Sequence, residues 1–244
     1  MVEQNGRRVA GTSTGYADIR KNPLYEVSRT AFGLGVVLGI FLGSLALVRL
    51  KNFHLYIVFL CLFHFLEYYI TARYNPTKVN VDSFLLNNGV EYIACHTLAI
   101  LETLIEYVYA PGFKTGRDSR VASVVVVLGY VFILGGQAAR SWAMVTASSS
   151  FSHVLEKERR EDHILVKHGI YRWLRHPSYF GFFWWALGTQ MVLLNPVSFV
   201  LFAIVLWRFF SARIASEESY LIEFFGNDYV RYRNGVPVRI PFIK

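Results

Sequence analysis

Residues 163–187 read HILVKHGIYRWLRHPSYFGFFWWAL. Lys167, His168, Arg172 and Arg175 lead into His176-Pro177, after which the chain turns strongly apolar. Pro177 has no backbone N–H and biases His176 away from the α region, so no helix crosses this point undisturbed. The pattern predicts a polar loop and a short amphipathic segment that halt at Arg175-His176-Pro177. A buried helix is then expected to begin near Ser178, whose short hydroxyl side chain can cap it. Imidazole, guanidinium, hydroxyl and phenol groups are thereby crowded at the mouth of an apolar helix. Two readings fit that crowding: a site for something small and polar beside a greasy compartment, or a basic juxtamembrane anchor with Tyr and Trp at the lipid interface.

The chain around this stretch has the composition of a polytopic membrane protein. Of its 244 residues 54% are hydrophobic and only 17% charged, where a soluble domain is nearer a quarter charged. The apolar residues come in long blocks, and each membrane span needs about 20 of them. The net charge of +8 then marks a cytosolic face and contact with anionic lipid, and argues against nucleic-acid binding. Cys61 and Cys95 both lie within apolar blocks and read as packing residues, with no metal site or disulfide. The N-terminal residues are polar, without the apolar core of a cleavable signal peptide.

An all-α bundle of about six transmembrane helices is expected, at about residues 30–48, 53–72, 90–110, 121–146, 179–194 and 197–212. Residues 1–26 read as a flexible tail, residues 27–146 as four membrane helices, and residues 147–244 as a polar loop, a helical hairpin and, from residue 213, a polar amphipathic tail. Gly35, Gly39 and Gly43 recur every fourth residue and leave one helix face bare, which reads as packing inside the bundle rather than a dimer interface. His64 and Glu67 share a helix face, as do Glu102 and Glu106. Ionisable groups at membrane depth face inward. Here they are either structural ion pairs, with Arg140 as a partner, or the polar wall of a cavity. The charged run LEKERREDH reads as a solvated face or loop. Asn195-Pro196 allows only a tight turn, so the last two spans form an antiparallel hairpin.

Six spans put both termini on one side. Nineteen Lys and Arg fall in the tail with Arg29 just beyond it, the 73–88 loop, residues 147–178 and the stretch from Arg208 onward, against five on the other side. The positive-inside rule places both tails and the His163–Tyr179 stretch in the cytosol. The hairpin returns Arg213 and Glu217, four residues apart and on one helical face, to the Arg175–Tyr179 end. Alone they are a surface ion pair of little energy. Beside His176 they are half of a site.

These residues carry a family likeness. Phe151-Ser-His153, His163-Ile-Leu-Val166, Gly169-Ile-Tyr171, Arg175-His-Pro-Ser-Tyr179 with Gly181, Gly188-Thr-Gln190, Trp207-Arg-Phe-Phe210, Arg213 and Glu217-Glu218 follow in order. From about residue 18 onward the chain resembles the isoprenylcysteine carboxyl methyltransferases, particularly those that process fungal pheromone. The resemblance implies methyl transfer from S-adenosylmethionine to the α-carboxylate of a C-terminal prenylated cysteine, in the endoplasmic reticulum membrane. Substrates would be trimmed CaaX proteins such as Ras-like GTPases or mating pheromone, and a homo-oligomer is compatible with it. It maps cofactor binding onto His163, Ile164, Leu165, Val166, Tyr171, His176, Pro177, Ser178, Tyr179 and Glu217, and the substrate carboxylate onto Arg213, with Arg213 and Glu217 as the catalytic pair. A further cofactor position, Gln in animal members, is Glu156 here. The RHPxYxG pattern alone is shared with sterol reductases and phospholipid methyltransferases, which stay as alternatives together with a non-enzymatic scaffold.

Overall fold

The computed structural model describes residues 15–115, 119–159 and 163–244. Residues 1–14 of the expected tail, Arg117, and the Arg160–Asp162 part of the charged run lie outside the described residues. Among those described there are helices and turns but no strand. The helices are α1 (Leu24–Gly43), α2 (Lys51–Tyr74), α3 (Val90–Tyr109), α4 (Pro111–Lys114), α5 (Arg120–Ala147), α6 (Pro177–Leu193), α7 (Pro196–Phe225) and α8 (Asn227–Gly235). Four described helices, α1, α2, α5 and α7, are long and apolar enough to cross a membrane. The 17-residue α6 is buried almost all round, as expected of a helix without a polar face.

The apolar blocks fall near where the sequence places them, but three ends move. α1 starts at Leu24, within the stretch read as tail, and stops at Gly43, short of the expected residue 48. α7 continues to Phe225, well past residue 212, and at 30 residues is about 45 Å long. Arg213 and Glu217 therefore lie on the same continuous helix as the apolar span.

The glycine stripe on α1 does not pack inside the bundle. No residue of α1 is buried, and a Cβ on Gly35, Gly39 or Gly43 would meet nothing within 4 Å. Close backbone contact occurs instead between α5 and α6, the most extensively packed pair. A Cβ on Gly136 would lie 2.5 Å from Gly181 O and 2.6 Å from Trp185 N. One on Gly188 would lie 2.7 Å from Gly129 O. Both pairs are spaced seven residues apart, two helical turns, so they mesh along one seam. Beside the seam, Phe63 stacks on Trp185 with ring centroids 4.5 Å apart, in a core continued by Phe182, Phe202 and Phe210.

The α6–α7 turn is held by buried polar groups. Asn195 accepts from Thr103 Oγ1 at 3.0 Å and Lys114 Nζ at 2.6 Å, and donates to Ala99 O at 2.8 Å. Lys114 Nζ also donates to Leu193 O and Leu194 O, the orphan carbonyls at the end of α6. Burial pushes the Lys114 ammonium below its ordinary pKa, against the pull of Glu106 at 2.5 Å. Glu102 accepts from Val197 N at 2.8 Å and Ser198 N at 2.7 Å, at the positive end of α7. Glu102 and Glu106 are thus structural and do not pair with Arg140.

Candidate active site

At the opposite end of the hairpin, α6 begins as the proline requires. His176 is the N-cap and Pro177 the first helical residue, and no side chain caps the helix. Ser178 is therefore not the cap expected from sequence. Its Oγ accepts instead from Arg140 Nη1 at 2.9 Å, because Gly136 and Gly181 bring α5 close enough for that reach. The short segment before it is a single 3-10 turn, Gly169–Arg172. Tyr232 OH donates to Tyr171 O at 2.6 Å and pins this turn to α8.

α7 delivers three side chains to the same place. Arg175 Nε donates to Glu218 Oε1 at 2.5 Å, and His176 Nε2 meets the same oxygen at 3.1 Å. Since an ionised carboxylate only accepts, His176 carries its hydrogen on Nε2 there. Tyr179 OH donates to Glu217 Oε2 at 2.5 Å and accepts from Arg213 Nε at 3.2 Å. The rings of His176 and Tyr179 lie nearly parallel, centroids 5.5 Å apart. Arg213 and Glu217 do not form the direct i,i+4 pair that their spacing permits. The Tyr179 hydroxyl stands between them as donor to one and acceptor from the other.

A cleft of about 680 Å³, counted out to open solvent, lies over this cluster. It is lined by His163, Ile164, Leu165, Val166, Tyr171, His176, Pro177, Ser178, Tyr179 and Glu217, the ten positions mapped from sequence. Ser150 Oγ also borders it, buried and without a partner among the described residues. Burial, then the charge of Glu217, pushes the Tyr171 phenol well above its ordinary pKa, so it stays neutral. A smaller recess adjoins the cleft, sharing His163, Tyr179 and Glu217, and Arg213 and Glu156 line it. Glu156 also bonds to Lys78 Nζ at 2.6 Å. A third cavity, about 1,380 Å³ to its mouth, lies among α3, α6 and α7. Phe182, Ala186, Phe202, Val205, Leu206 and Phe209 give it an apolar lining.

Sequence reading left Arg175 and Glu218 without roles, although both belong to the quoted motifs. Adjacent residues on a helix point about 100° apart, so only one of two tandem glutamates can face the cleft. The other was available as a partner for Arg175. Of the carboxylates for which Arg140 was a candidate ion-pair partner, it is Glu67 on α2 that Arg140 on α5 meets, in a buried group. Arg140 donates to both carboxylate oxygens of Glu67, at 2.5 and 2.8 Å.

The model of the isoprenylcysteine carboxyl methyltransferase (ICMT) family matches residues 127–223. This chain is 56% identical over 228 residues to the protein-S-isoprenylcysteine O-methyltransferase of Saccharomyces cerevisiae, covering 93% of this chain and 95% of that one. It is 39% identical over 237 residues to the Homo sapiens protein of the same name, covering 97% and 81%. A solved structure of the eukaryotic intramembrane Ras methyltransferase ICMT superposes with a TM-score of 0.83 at 35% identity, over 90% of this chain and 77% of that one. With near-complete coverage by relatives and the same helical architecture, this membrane-embedded chain belongs to the isoprenylcysteine carboxyl methyltransferase family.

Proposed function

We propose that the enzyme transfers a methyl group from S-adenosylmethionine to the α-carboxylate of a C-terminal prenylated cysteine. The observation that carries this reading is the meeting of Arg213 and Glu217 on Tyr179, between a polar cleft and an apolar cavity. The donor fits the cleft residues. His163, Ile164, Leu165, Val166 and Tyr171 offer apolar and aromatic walls, Ser150 Oγ is a buried hydroxyl with an unused valence, and Glu217 suits a cation. When bound, S-adenosylmethionine supplies an electrophilic methyl on a positively charged sulfur.

The acceptor needs no base. A peptide α-carboxylate has a pKa of about 3.5 and is anionic at neutral pH. The protein's task is to orient that anion and strip it of water. Arg213 spends Nε on Tyr179 OH and one Nη2 hydrogen on His153 O, which leaves donors of its planar fork for a carboxylate. Lysine has no such fork. Glu217, on the far side of the Tyr179 hydroxyl, offsets part of the guanidinium charge, so the acceptor is held without being fully neutralised. His176 and Tyr179 would hold the polar parts of the donor by hydrogen bonds. The cavity among α3, α6 and α7 would take the isoprenoid, each buried methylene contributing about 0.8 kcal/mol.

The partners are processed CaaX proteins, Ras-like GTPases and mating pheromone among them. The setting is the endoplasmic reticulum membrane, crossed six times, with both termini and the site in the cytosol. Membranes containing the enzyme, given labelled S-adenosylmethionine and N-acetyl-S-farnesylcysteine, should form a base-labile methyl ester. Glu217→Gln should weaken donor binding at least tenfold. Label in phospholipid would assign a lipid methyltransferase instead, and absence of transfer would reject the reading.

A further inference from the structure

His153 belongs to the quoted motifs and its ring has no part in the chemistry above, yet the residue is tied at both its ring and its backbone. Its Nε2 lies 2.9 Å from Glu67 Oε2, and its carbonyl accepts from Arg213 Nη2 at 3.0 Å. Glu67 is fully buried, and Arg140 donates to both its oxygens. A carboxylate so paired is an acceptor only, so the imidazole Nε2 donates. Arg140 has a third contact: Nη1 donates to Ser178 Oγ at the mouth of α6.

We propose that Glu67 and His153 are a positioning pair that sets the aim of the Arg213 guanidinium. This rests on the reading of Arg213 as the ligand of the substrate carboxylate. The segment that holds His153 is fastened to the end of α2 through Ser148 Oγ to Tyr74 O, Asn75 Nδ2 to Phe151 O and Lys78 Nζ to Glu156. None of these fixes the His153 peptide itself to the rest of the fold, and the Val154 N–H of that peptide donates only locally, to Ser152 Oγ at 3.2 Å, among the described residues. The His153 ring fixes it, by reaching 86 positions back to a carboxylate that α2 and α5 hold rigid. One buried anion thereby registers both halves of the site, Ser178 through Arg140 and Arg213 through His153. The demand for such registry is high, because a misplacement of about 1 Å can slow a reaction on the order of 10²-fold.

A merely structural role for His153 would change stability and leave unchanged which ligand Arg213 prefers. An aimed guanidinium favours a free carboxylate over its neutral ester, so that preference is the readout. Affinities for N-acetyl-S-farnesylcysteine and for its methyl ester are measured by displacing labelled ester from the full chain in membranes, alongside donor binding. His153→Leu should weaken the acid at least tenfold and leave ester and donor within about twofold. His153→Gln keeps a terminal N–H donor and should restore the acid to within about threefold. Adding His153→Leu to Arg213→Gln should change the acid-to-ester ratio less than twofold beyond Arg213→Gln alone, as expected of residues acting through one contact. If His153→Leu does not accumulate, His153→Asn, polar but too short to reach Glu67, replaces it with the same criteria. An unchanged ratio in these His153 variants, with a shifted ratio in Arg213→Gln, overturns the positioning pair. An unchanged ratio in Arg213→Gln itself overturns the underlying assignment of the carboxylate.

Discussion

Arg175 Nε and Glu218 Oε1 lie 2.5 Å apart although 43 positions separate them in the chain. The same oxygen meets His176 Nε2, so one carboxylate on α7 fixes both residues that precede α6. Removing one partner of a buried ion pair leaves an uncompensated charge, at about 3 kcal/mol. Glu218→Gln should lower the unfolding midpoint of the purified protein accordingly and weaken donor binding, since His176 borders the cleft. A thermal melt with and without S-adenosylmethionine checks both, and an unshifted midpoint would remove Glu218 as the clamp.

Arg213→Lys keeps the charge and loses the fork. Lysine cannot serve the Tyr179 hydroxyl, the His153 carbonyl and a carboxylate together in one plane. Turnover should fall at least 100-fold while the protein stays folded and inserted, as judged by its melting profile and donor affinity. Near-normal turnover would refute the forked clamp.

Glycine substitutions should separate the two glycine sets. Gly136→Ala or Gly181→Ala places a methyl within 2.5 Å of a backbone oxygen on the facing helix. Neither backbone can yield without prising α5 from α6, so a loss of about 1–3 kcal/mol is expected, together with lost activity as Arg140 is drawn off Ser178. Gly39→Ala meets open space and should leave the unfolding midpoint at or above that of the parent protein. Parallel melts of the three variants decide it.

Lys114→Met removes a buried ammonium from three oxygens at the α6–α7 turn and from Glu106. Stability should fall by about 3 kcal/mol. Turnover per folded molecule should change less than twofold, because this knot is at the far end of the hairpin from Arg213. A large fall in turnover at unchanged stability would show that the turn controls the site.

The positions of the helices were legible because apolar blocks punctuated by Pro177, Pro196 and Pro111 need no partner to be read. The meeting of Arg175–Tyr179 with Arg213–Glu218 was legible from the short turn at Asn195 alone. Partner choice was not. A bare face at Gly35–Gly43 says that a helix can come close, not that one does, whereas the matched seven-residue spacings of Gly129/Gly136 and Gly181/Gly188 carried the real pairing. The Ser178 cap failed because Pro177 claims the first helical position and leaves that hydroxyl free for Arg140. The long polar end of α7 read as tail because amphipathic residues past a span look alike whether helical or not. Glu67, Arg140 and His153 join three distant segments, and no local pattern announces such a contact.

The glycine seam has a consequence for traffic. Where the backbones of α5 and α6 touch, there is no slot through which a hydrocarbon chain could slide, so that flank of the molecule is a wall to anything dissolved in the bilayer. The gap bounded by α3, α6 and α7 is the flank on which the proposed reading seats a lipid tail. On that reading the reaction chamber is fed by water at one end and by the bilayer at the side.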